Sequence, residues 1–145
     1  MDEIGHLIGG ILMVGSLSAK ITDAVLESLP IDITIVDYND KVAAWNKDKT
    51  RLFPREHSAL NRDVRTCHPK KSLEVVTKIL EDMKAKRRET AEFWIDMKTE
   101  SGQTEKVYIL YIALRDDEGY YLGCLEVTQR VDRIRELSGE RRLLE

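Results

Sequence analysis

Leu29-Pro30-Ile31-Asp32-Ile33-Thr34-Ile35-Val36-Asp37-Tyr38-Asn39-Asp40-Lys41-Val42-Ala43-Ala44-Trp45-Asn46 is the stretch that decides the fold class. Ile31, Ile33 and Ile35 alternate with Asp32 and Thr34, the period-2 pattern of a half-buried strand. Asp37-Tyr38-Asn39-Asp40 supplies turn chemistry, because Asn and Asp tolerate left-handed dihedrals and bond to nearby backbone. Val42 to Trp45 begins the return strand. The stretch is a hairpin.

Upstream, Ser18 is placed to cap a helix carrying Ile21, Val25 and Leu29 at steps of four, and Pro30 ends it. The apolar run Ile4–Val14 is shorter than the roughly 20 residues a membrane span needs. It follows Asp2 and Glu3 rather than the basic start of a signal peptide. It reads as a leader that contacts another chain or an upstream domain. Residues 1–20 are accordingly taken as leader and linker.

Downstream, Asn46 to Phe53 reads as a short helix stopped before Pro54, and Arg55 to Pro69 as irregular with one further helical turn. Leu73, Val76, Ile79, Leu80 and Met83 then give an amphipathic helix that Ser72 can cap. Lys84-Ala85-Lys86-Arg87-Arg88 closes it, with cations at the negative end of the helix dipole. Three strands follow, Glu89–Lys98, Lys106–Arg115 and Tyr120–Thr128, separated by turn signals at Ser101-Gly102 and Asp116-Asp117-Glu118-Gly119. Hairpins join them, so the sheet is antiparallel and the class is α+β. Gln129 to Leu144 reads as a terminal helix.

The chain has 145 residues, which sets one domain as the prior. Its 23 basic and 26 acidic residues leave a net charge of -3, against the basic excess of a nucleic-acid binder. Cys67 and Cys124 are too few for a secreted disulfide framework, which favours a cytoplasmic, reducing setting.

The order of elements over roughly Ile21–Leu137 resembles PAS domains. The resembling residues are Leu29-Pro30-Ile31-Asp32 through Asn46, Asn61-Arg62-Asp63-Val64 through His68-Pro69, Leu114–Gly119, and Tyr121-Leu122-Gly123 through Gln129. LPIDITIVD, CHPKKS and LEVTQ most resemble the C-terminal PAS domain of prokaryotic proteins with an upstream hemerythrin-like region and a domain of unknown function. The resemblance implies a five-stranded antiparallel sheet with helices on one face and the first hairpin beside the last strand. It places a PAS-like domain with its N-terminal helix over 21–129 and a signalling helix over 130–145. PAS domains often finish with Asp-Ile-Thr, which ties the last strand to the output helix. Here the matching residues are Arg130-Val131-Asp132, so those hydrogen bonds cannot form in the same way.

The PAS register turns Phe93, Ile95, Met97, Val107, Ile109, Tyr111, Ala113, Leu122, Cys124, Glu126 and Thr128 inward. The resulting candidate cavity is bounded by the long helix and by His68, Ile95, Ile109, Tyr111, Cys124 and Glu126. A buried carboxylate needs a partner or a proton, and Tyr111 or His68 could donate to Glu126. The outward set, with Leu110, Ile112, Leu125 and Val127 as the candidate dimer face, is too apolar for water. A homodimer covers it, helped by the helix before Pro30.

The resemblance also bears on cofactors. At the position of a flavin photosensor's reactive Cys stands Val64, and Met97, Val107 and Thr128 stand where side chains would bind the flavin edge. An apolar pocket cannot satisfy that edge, so flavin is disfavoured. Cys67 and His68 are candidate haem ligands; the competing reading takes His68-Pro69 as the start of a helix. Zinc would want four ligands, and only Cys67 and His68 are adjacent, so no metal site is assigned. No nucleophile–base pair or phosphate-cradling Gly loop is present, so an enzyme is not expected. Three functions stay open: a sensor of a small molecule or redox signal acting through a partner, a ligand-free dimerisation module, and a haem-binding gas or redox sensor.

Overall fold

A computed structural model of the chain describes residues 13–144. Most of the apolar leader and Glu145 lie outside the described residues. The elements run α1 (Ala19–Ser28), β1 (Asp32–Asp37), β2 (Val42–Trp45), 3-10 turns at His57–Ala59 and Val64–Cys67, α2 (Lys70–Lys84), β3 (Thr90–Lys98), β4 (Thr104–Arg115), β5 (Tyr121–Arg130) and the short α3 (Asp132–Arg135). The five strands form one antiparallel sheet in the order β2-β1-β5-β4-β3, so the first hairpin lies beside the last strand, as expected.

Local chemistry explains the boundaries. Ser18 caps α1, its side-chain oxygen accepting from Ile21 N at 3.1 Å. The β1–β2 turn is held by Asp37, whose carboxylate accepts from Asn39 N and Lys41 N, with Asp40 in the left-handed region. On α2, Val76, Ile79, Leu80 and Met83 are buried at helical spacing. They form one core with Val36 of β1, Tyr121 and Cys124 of β5, and Val42 and Val64. The core thus sits between α2 and one face of the sheet.

Four local expectations are corrected. Asn46 to Phe53 is not helical. Lys47 is left-handed, and the side chains of Asn46 and Arg51 bond to backbone groups, which holds an irregular turn instead. Pro69, not Ser72, precedes the first turn of α2, and its extended ψ of 155° leads the chain in. The terminal helix is only Asp132–Arg135, because β5 runs on to Arg130 and Gly139 is left-handed. Ile134 and Leu137 are both more than half exposed, so no core contact extends that helix. Leu122 points outward and Tyr121 inward, because the β4–β5 register shifts between Leu114 and Arg115.

The end of β5 is also tied down after all. Val131 N donates to Lys106 O at 3.0 Å, and Lys106 N donates to Asp132 Oδ2 at 2.9 Å. Asp132 fastens the exit of β5 to the start of β4, although the resemblance placed it out of position for that.

On the outer face Leu110, Ile112 and Leu125 are half-buried. Val127, assigned to the same dimer face, is buried and cannot offer its side chain to a partner. It lies in mid-sheet, with Ile33 opposite on one side and Leu110 on the other. None of the α1 residues is fully buried, and Leu26 is half-buried. Leu17, Ile21 and Val25 are each about half exposed.

Candidate functional site

The sheet register builds the site row by row. Thr34 of β1 stands opposite Glu126 of β5, and Glu126 opposite Tyr111 of β4. These polar side chains cross the inner face at one level. The next row, Val36, Cys124 and Ala113, is apolar. Over both rows lies α2 with Val76, Ile79 and Leu80, and the 3-10 turn adds Val64. Between them is a cavity of about 20 Å³, counted as the space open to the centre of a water molecule. Its accessible wall is apolar, and at one end Thr34, Arg55 and Glu126 stand bonded to one another.

The polar end is organised by two arginines from the irregular turn after β2. Arg55 donates from Nε to Thr34 Oγ1 at 3.1 Å and from Nη2 to Glu126 Oε1 at 2.9 Å. Arg51 donates from Nη2 to the same hydroxyl at 2.9 Å, and from Nη1 to Ile33 O and Asn46 O. It is a rigid strut between the turn and β1. Asp32, one row further on, accepts from Leu52 N at 2.6 Å and pins the same turn. Glu126 thus has a cationic partner in Arg55, with Tyr111 standing opposite it on β4.

His68 lines the cavity, with Nδ1 3.0 Å from Val64 O. A carbonyl only accepts, so Nδ1 carries a hydrogen and donates. Burial and then the charge of Glu126 push the Tyr111 phenol above its ordinary value, so it stays protonated. The same causes, in the same order, push the Cys124 thiol up to about 12. Cys124 is therefore a neutral, unreactive wall residue at neutral pH.

Of the six residues expected in the cavity, His68, Tyr111, Cys124 and Glu126 line it; Ile95 and Ile109 do not. Ile109 pairs with Thr128, one row past Glu126, and Ile95 pairs with Val107, one row beyond that. Ile95 is 39% exposed on edge strand β3. Arg55 and Thr34 were missed. Thr34 was legible, because its inward side follows from the alternation in β1. Arg55 carries no local signal, since it meets Glu126 across 71 residues of chain.

Haem does not fit this geometry. Pockets for drug-sized ligands run to about 300–1,000 Å³, and this cavity is far smaller. Cys67 packs against the core rather than lining the cavity. Among the described residues no group of three or more His, Cys, Asp or Glu is placed to hold a metal ion. No helix among them is long and apolar enough to cross a membrane.

A family model described as a PAS domain matches residues 22–132. The crystal structure of a C-terminal domain from Streptococcus mutans is 30% identical, with a TM-score of 0.77, covering 89% of this chain and 96% of that one. The PAS domain of Bordetella pertussis BvgS aligns at 18% identity and a TM-score of 0.57, covering 84% of this chain and 87% of that one. A PAS domain from Colwellia psychrerythraea aligns at 15% identity and 0.56, covering 79% and 97%. No curated protein matches the chain.

Proposed function

Because the chain belongs to the PAS domain family, we propose that it is a sensory module whose cavity takes a small molecule and whose response reaches a partner through β5. PAS domains are in general sensory and signalling modules rather than catalysts. One observation carries the proposal: a buried Arg55–Glu126 pair stands at the end of an otherwise apolar cavity. Ligand sites combine apolar walls with a few fixed polar groups in this way. Glu126 lies on the strand whose end Asp132 fastens to β4, so a change at the cavity has a covalent route to the exit. The partner is a second copy of the chain or another domain, such as the hemerythrin-like region that the sequence resemblance suggests. A cytoplasmic setting goes with this reading.

A second reading, a dimerisation module, is favoured by apolar side chains that are not fully buried: Ile21 and Val25 on α1, and Leu110, Ile112 and Leu125 on the outer sheet face. The two readings are compatible, since a dimer can carry the response. Native mass spectrometry with an absorption spectrum of freshly isolated protein tests both. The proposal predicts a dimer, any bound mass being small and without a Soret band. A haem-sized mass with a strong Soret band would contradict the cavity reading, and a monomer the dimer.

A further inference from the structure

Resting on the reading of the cavity as a ligand site, we infer that its ligand is a small apolar molecule of a few heavy atoms, held by packing contact and without a hydrogen bond. The wall is the first reason. Val64, Val76, Ile79 and Leu80 lie over Val36 and Cys124, and the surface open to a guest is apolar. The polar side chains at one end are bonded within the protein. Arg55 donates to Thr34 and Glu126, Arg51 donates to the same Thr34 hydroxyl, and His68 Nδ1 donates to Val64 O. Arg55 keeps further N–H hydrogens, but none opens onto the cavity. A guest with a hydroxyl, an amide or a charge would set its polar atom against carbon and leave it unpaired, which burial penalises. An apolar guest has no such atom.

Competition with water is the second reason. A buried water makes about two to four hydrogen bonds to polar groups around it, whereas apolar cavities stay dry and take up apolar guests. The same wall that offers a polar guest nothing therefore offers water nothing. A guest that enters gains dispersion contacts with side chains that otherwise face a void. Size is the third. A cavity of about 20 Å³ admits a guest of a few heavy atoms and no more. So small a guest binds weakly and exchanges fast, which makes the response a reading of its concentration.

The test sets two probes of opposite chemistry, xenon under pressure and formamide, against the labelled whole chain, with binding read from amide shifts at neutral pH. Xenon should move the amides of Val64, His68 and Cys124 saturably, and formamide should bind there at least about tenfold more weakly. Val64→Ile, which puts one more carbon into the wall, should weaken xenon binding by about tenfold. Ile79→Val, which removes one carbon and keeps the wall apolar, should strengthen it by about threefold. Xenon shifts that both variants leave unchanged would place the xenon elsewhere and overturn the inference. Formamide that binds at the cavity amides more tightly than xenon would overturn the inference while leaving the cavity as a ligand site. Silence of the cavity amides with both probes would overturn both.

Discussion

Arg55 carries the site, and its loss should show. Arg55→Ala leaves Glu126 without its cation in a nearly buried position. We expect a loss of about 3 kcal/mol in urea unfolding, and recovery of most of it in Arg55→Met/Glu126→Leu, which removes both charges. A single variant as stable as the parent would show that the pair is not desolvated. Asn46 is the structural counterpart. It is 3% exposed; its Oδ1 accepts from Ile33 N at 2.7 Å and its Nδ2 donates to Leu26 O and Ile31 O. Asn46→Ala strands these backbone groups and should cost about 2–3 kcal/mol by the same measurement. The cysteines should differ too. The Cys124 thiol, raised to about 12, stays protonated well past the pH at which an ordinary thiol ionises. A thiol reagent at pH 8 should label half-buried Cys67 first and Cys124 only on unfolding. A raised folded value also stabilises the fold below the ordinary thiol range, a gain lost as pH rises towards 12. The lowered carboxyls act at the other end. Arg87 holds Asp82 down, and Arg115 holds Glu89 down. Their contribution is present at neutral pH and is lost as acid carries them through their lowered values.

At the scale of elements, much was legible because the signals were local. The β1–β2 hairpin, the Ser18 cap, the turns at Gly102 and Gly119 and the stripe on α2 follow from period and turn chemistry. What was not legible depends on long-range closure. The turn after β2 is held by Arg51 reaching Ile33 O and Thr34, which no helical spacing reveals. The Tyr121/Leu122 reversal follows from a register shift, and one residue of slip exchanges the faces. Gly123 marks the same region. A Cβ there would lie 2.2 Å from Val36 O. Gly123→Ala should therefore push β1 from β5 and cost about 2 kcal/mol or more, read as a lower unfolding midpoint. An unchanged midpoint would mean the strands move apart freely.

For the whole molecule, the sheet has two faces: the inner face with α2 encloses the cavity, and the outer face carries half-buried Leu110, Ile112 and Leu125, the proposed dimer face. Each Leu- or Ile-sized side chain buried there contributes about 1.5–3 kcal/mol, enough in sum to hold a dimer after its entropy cost. If the proposed dimer uses this face, Ile112→Glu should give a monomer in sedimentation where the parent is a dimer, and an unchanged dimer mass would place the interface elsewhere. The account's central claim is that the cavity is where a signal enters and that β5 carries it out. The most direct test is a titration of labelled protein with xenon, followed amide by amide. The account predicts shifts that begin at Val64, His68 and Cys124 and continue along β5 to Asp132 and to Lys106 of β4, which donates to it. Shifts confined to Leu110, Ile112 and Leu125 on the outer face, with the cavity amides unmoved, would contradict it.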